Sequence, residues 1–146
     1  MNSRNKNKNR KDAGTYFGLP HAVMDSPNYM QLSAKSVKLL NDIGRQFHGF
    51  NNGDLCATYS LMQKRGWVSK NTLEEALNEL LHYGLILLSR QGGRHRASLY
   101  ALTWHPINEC KNKLDINKTK ISPGIWKQNC DVFVPKRLLK KHKHCP

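Results

Sequence analysis

Ser69, Lys70, Asn71 and Thr72 are four consecutive short polar or cationic side chains set just ahead of an apolar stripe. Such groups suit hydrogen bonding to nucleic-acid base edges. Asn pairs both ways with adenine, Lys reaches guanine or a phosphate, and Ser and Thr reach bases or phosphates. The free N–H groups at a helix start favour a phosphate as well. A second set follows Gly92-Gly93, where Arg94, His95 and Arg96 crowd one turn and Arg90 stands four residues upstream. Bases at a turn with nothing apolar to cover suit a phosphate backbone or a minor groove. The plainer alternative is that Ser69 only caps a helix, Lys70 and Asn71 are solvated, and the second set is a basic turn.

The surrounding periodicity says which elements would carry these residues. After Ser26-Pro27, the apolar Leu32, Val37, Leu39, Leu40, Ile43 and Phe47 recur largely at three- and four-residue steps, predicting a one-faced helix with Ser33 as N-cap and Gly49 as stop. Asn51-Asn52-Gly53 marks a turn, and Asp54 is positioned to cap a second helix running to about Lys64, with Leu55, Tyr59 and Met62 inward. Gly66 ends it, and Trp67-Val68 anchor the connection. Ser69 then opens a third helix whose Leu73, Ala76, Leu77, Leu80 and Leu81 form a core face. Lys70, Asn71, Glu74, Asn78 and His82 lie opposite, and Gly84 falls at the C′ position. Leu85 to Arg90 reads as a strand, Gln91 to Arg96 as a turn, and Ala97 to Trp104 as a returning strand. Tyr100, Leu102 and Trp104 would share one face of it, with Leu99 and Ala101 on the other. The expected fold is α+β: a winged helix, with a three-helix helix-turn-helix core, a β-hairpin wing and basic terminal tails.

The chain has 146 residues and a formal charge of +14, unevenly spread. Residues 26–105 hold nine bases against five acids, whereas residues 106–146 hold ten against three. Asn2 to Lys11 contains only Asn, Lys, Arg and one Ser, a composition that buries no core and should be disordered. The organisation expected is a basic arm over 1–14, a DNA-binding domain over 15–105, and a C-terminal extension with a basic tail over 106–146. Basic arms of this kind favour a polyanion, most often nucleic acid. No apolar run approaches the roughly 18 residues of a membrane span, and no signal-peptide core follows the basic start, so a cytoplasmic location is expected.

Several short runs resemble one continuous family pattern. They include Phe17-Gly18-Leu19-Pro20-His21, Asn51-Asn52-Gly53-Asp54-Leu55, Arg65-Gly66-Trp67, Arg90-Gln91-Gly92-Gly93 and Ser98 to Trp104. With Pro106-Ile107, Cys110, Lys113-Leu114-Asp115 and Trp126, the likeness covers about residues 17–126. The pattern resembles small winged helix-turn-helix proteins of bacterial plasmids, prophages and integrative elements. More distantly it is similar to the N-terminal winged helices of plasmid replication initiators and phage replisome organisers. The resemblance implies fold and DNA binding, and it does not extend to either basic end.

Enzymatic readings find little support: there is no phosphate-binding loop, no Ser-centred nucleophile elbow, and no His cluster suited to a nicking reaction. Cys56, Cys110, Cys130 and Cys145 stand 54, 20 and 15 residues apart with no paired spacing, so reduced thiols are expected. His142, His144 and Cys145 with a distant cysteine are the one metal-like grouping, weaker than the paired ligands of structural zinc. No cofactor or small-molecule substrate is indicated. The sequence therefore points to a non-enzymatic double-stranded DNA-binding protein, a transcriptional regulator or replication accessory of a mobile element, compatible with a homodimer. The reading from another class is a protein-interaction winged helix within a larger assembly. Glu74, Glu75 and Glu79 favour that alternative, since carboxylates on the third helix repel phosphates and offer a face to a basic partner. If DNA is bound, only the first turn of that helix should read bases.

Overall fold

Serine caps divide the N-terminal half into short helices. The computed structural model describes residues 14–139, so most of the basic arm, the last lysines and the His142–Cys145 grouping lie outside the described residues. Helices α1 (His21–Met24) and α2 (Pro27–Met30) are joined at Ser26, whose Oγ donates to Val23 O and accepts from Tyr29 N. Helix α3 (Ala34–Gly44) starts afresh at Ser33, which accepts from Ser36 N at 3.3 Å. Ser33 is thus the N-cap that the periodicity predicts, and the stretch between Ser26 and Ser33 forms the separate turn α2. The later helix ends at Gly44, where the Phe17 ring occupies the space a Cβ would fill, and so stops ahead of the predicted Gly49.

Asp54 does not cap a helix. Leu55–Cys56 forms strand β1, and Asp54 pairs instead with Lys113 at 2.9 Å. The extended backbone is held on both edges. Strand β3 (Leu99–Leu102) pairs with it antiparallel, Leu55 opposite Tyr100, while the Gln46 amide bonds Cys56 N at 2.9 Å and Cys56 O at 2.7 Å. The second helix, α4 (Tyr59–Gln63), is correspondingly short, with Met62 buried.

Helix α5 (Lys70–His82) begins at Ser69, which accepts from Thr72 N at 3.3 Å, and buries Leu73, Ala76 and Leu80 against α3. It ends in a Schellman motif: Leu85 N bonds Leu80 O and Gly84 N bonds Leu81 O, with Gly84 at φ +70°. Strand β2 (Ile86–Arg90) follows, and the three-stranded antiparallel sheet has the order β1-β3-β2. All four residues of the central β3 are buried, so the predicted inward and outward faces are both covered. A bulge between Leu88 and Arg90 turns Ser89 inward, where it donates to Gly53 O.

The chain then wraps back over its own fold. Gly124 N bonds Thr103 O, the Asn28 amide donates to Tyr83 O and Gln128 O, and Phe133 N donates to Tyr83 Oη at 2.9 Å. This strap ends in a short helix, α6 (Lys136–Leu139). Asn52 is fully buried at the centre of the wrapping. Its amide donates to Leu102 O, His105 O and Pro106 O and accepts from Leu102 N at 2.7 Å, completing backbone hydrogen bonding at the end of β3 that β1 does not reach and in the turn beyond it. No described helix is long and apolar enough to cross a membrane.

Candidate nucleic-acid interface

The start of α5 is positioned from α3. Asp42, 7% exposed, accepts from Lys38 Nζ at 2.7 Å, Trp67 Nε1 at 2.8 Å and Arg65 Nε at 3.2 Å. Burial pushes its carboxyl up, but the hydrogen bonds from Lys38, Trp67 and Arg65 and the Lys38 charge outweigh that and hold it below its ordinary value. The connection between α4 and α5 is thereby tied down at Arg65 and Trp67, and Tyr59 Oη adds a bond to Val68 O. In the first turn, Lys70 and Asn71 are exposed and Thr72 is half-buried, while Lys70 Nζ lies 5.4 Å from the centre of the Tyr59 ring. Ser69 is engaged as an N-cap acceptor, which leaves its hydroxyl hydrogen for another partner.

The acidic residues of α5 have separate fates. Glu79 is buried, accepting from Ser33 N at 2.8 Å, Ser33 Oγ at 2.7 Å and Ser36 Oγ at 2.6 Å, so it joins α5 to the start of α3. Glu75 pairs with Arg137 Nε at 3.1 Å. The chain's own strap thus brings one basic side chain to this face. Of the three, only Glu74 has neither an ion pair nor a side-chain hydrogen bond among the described residues. His82, also on the outer face, has Nε2 at 2.6 Å from Asp131 O and its ring 5.5 Å from that of Phe133. A groove of about 660 Å³ runs between α5, the start of α3 and the strap, with Lys35, Asn71, Thr72, Glu75 and Arg137 on its walls.

At the hairpin, Gly93 and Arg96 exchange backbone hydrogen bonds and leave Arg94 and His95 exposed at the tip. Arg90 is directed to the hairpin's own backbone, with Nε at 3.2 Å and Nη2 at 2.8 Å from Ala97 O. Arg96 pairs with Asp115 at 3.0 Å, and the other oxygen of that carboxylate accepts from Gln91 N at 2.7 Å. Of the hairpin residues singled out above, Arg94 alone is a cation without an ion pair or side-chain hydrogen bond among the described residues.

Comparison of the chain with protein-family models, with curated proteins and with solved structures finds no match. The assignment of the site therefore rests on its own geometry. Three contributors escaped the sequence reading: Arg137, Asp115 and Lys35. Each meets the site through tertiary contact, and Arg137 stands 62 residues from the glutamate it neutralises. No local pattern marks such a pairing.

Proposed function

We propose that this chain is a double-stranded DNA-binding protein of the winged-helix type, acting as a regulator or replication accessory of a mobile element. The observation that carries the reading is the succession α3, β1, α4, α5, β2, β3 with sheet order β1-β3-β2. This is a helix-turn-helix whose second helix runs directly into a β-hairpin closed against an earlier short strand. In such an arrangement the N-terminal turn of the second helix inserts into the major groove. Here that turn offers Lys70 and Asn71 to base edges, and Ser69 and Thr72 to bases or phosphate. Glu79 and Glu75 are spent on Ser33, Ser36 and Arg137, which relieves the repulsion that three carboxylates would otherwise present. Arg94 and His95 at the hairpin tip contact backbone or minor groove, and the basic ends supply salt-dependent attraction that carries no base information. Docking of a separate basic protein on the acidic face of α5 is disfavoured, because two of the three acids are already occupied.

A gel shift with random duplex DNA, followed by selection from a random duplex library, tests the reading. Binding that falls steeply with salt, together with an enriched motif, is the expected result. Absence of duplex binding at low salt overturns it.

A further inference from the structure

Residues 14–20 cross the end of α3 near His105 and enclose a basin of about 930 Å³ that shares no lining residue with the groove beside α5. Its walls are built of rings. Tyr16 and Phe17 come from the N-terminal segment, Phe47 from the chain after α3, and His105 from the exit of β3. Phe17 is anchored over Gly44 and beside Trp104, whose ring centre is 6.0 Å away. Phe47 and His105 are stacked, with centroids 4.6 Å apart and planes 29° from parallel. Tyr16 in this wall is 91% exposed, and one further ring, Phe50, which follows the lining residue Gly49 and lies outside the wall itself, is 83% exposed. Arg45 and His48 line the same basin, and none of its lining residues is acidic.

Exposed rings beside a guanidinium and free of carboxylates are suited to a particular occupant. An amphipathic helix of another protein seeks a groove lined by aliphatic side chains, whereas Leu19 is the lone large aliphatic here. Unpaired nucleobases present a π-face to every aromatic ring, and their phosphates require a cation nearby. The chain that leads into Gly14 adds five bases between Arg4 and Lys11. We infer that this basin is a single-stranded nucleic-acid site, in which unpaired bases stack on Tyr16 and the Phe47–His105 pair, the next base along the strand reaches Phe50 beside the basin, and Arg45 meets the phosphate backbone. This activity lies beyond duplex binding and uses different residues.

The test uses the full chain and a fluorescent oligothymidylate of about 12 nucleotides, within the size range of such sites and unable to form a duplex with itself. Measurement at high salt screens the basic ends and leaves stacking in place. Tyr16→Ala and Phe50→Ala should each weaken binding about tenfold, the scale of one lost base–aromatic stack, and Phe50→Trp should restore it. Arg45→Ala should flatten the salt dependence by about 0.7 in slope. Because both rings are exposed, thermal melting and duplex affinity should be unchanged in these variants. Oligothymidylate binding by a chain that binds no duplex would leave this inference standing and remove the duplex reading. The inference is overturned if the wild type does not bind oligothymidylate, or if the ring variants bind it as well as the wild type does. It falls equally if those variants lose only an aromatic-rich peptide, which would make the occupant a protein.

Discussion

The first turn of α5 and the tip of the β2–β3 hairpin look alike as sequence, each a short polar or basic run beside the structure that supports it. The fold treats them in opposite ways. At α5 the carboxylates are withdrawn, Glu79 into the start of α3 and Glu75 onto Arg137, so Lys70 and Asn71 face solvent with reduced negative charge around them. At the hairpin it is the cations that are withdrawn, Arg90 onto Ala97 O and Arg96 onto Asp115, which leaves Arg94 and His95. Formal charge and available charge are therefore different quantities. On the proposed duplex reading, the first turn is the better equipped to discriminate bases, and the hairpin would contribute less attraction than its three arginines suggest.

Losing the anchor of the first turn would break this comparison most severely. Asp42→Ala strands Trp67 Nε1 and releases Arg65 and Lys38, and it should cost about 2 kcal/mol in urea unfolding. The pH dependence has a definite sign. A carboxyl depressed below its ordinary 3.8 confers stability that is complete above about pH 5 and is lost as pH falls through 3.8 toward the lower folded value. Asp42→Asn should lack that part of the acid transition in pH-dependent melting.

Base discrimination comes next. Asn71→Ala should cost roughly 1–3 kcal/mol on the selected site and little on random duplex, measured by parallel titrations. Equal losses on both would make Asn71 a backbone contact and remove the discriminating role of the first turn. Arg137→Ala restores an uncompensated carboxylate and should weaken duplex binding by up to about 1 kcal/mol, with Glu75→Gln reversing the loss. The smallest effect tests the hairpin. Arg94→Ala should lower the salt slope by about 0.9, Arg96→Ala by less, and Asp115→Asn should raise it. Identical slopes for the two arginine variants would erase the distinction between free and engaged cations.

What was legible in the residues follows the range of the interactions involved. Helices α3 and α5 were legible because eleven and thirteen residues suffice to display an apolar stripe, and because Ser33 and Ser69 announce their caps. The hairpin was legible from its glycine pair. Strand β1 was not, since two residues show no period and Leu55 meets Tyr100 only across the fold. Asp54 was misassigned for the same reason, its partner Lys113 lying 59 residues away. Asn52 illustrates the limit most plainly. Next to Gly53 it has the local chemistry of a turn residue, yet its side chain is wholly buried and serves four backbone groups. At the candidate site, Ser69 to Thr72 could be named in advance because their positions at a helix start are local. Which of their charged neighbours would be silenced depended on a strap that no local pattern connects to α5.

The bonds of Asn52 also order events during synthesis. A ribosome delivers the chain from its N-terminus, and domains fold as their segments emerge. Every helix through α5 is made before Leu99–Leu102, so β1 must wait for its partner strand. The amide of Asn52 waits longer, because its acceptors end at Pro106. Until then the nascent chain holds helices beside an open sheet edge and an unsatisfied amide, which water must serve in the meantime. Closure of the sheet thus follows every helix through α5 in the order of synthesis, and the Asn52 amide is fully served only once residue 106 has cleared the exit tunnel.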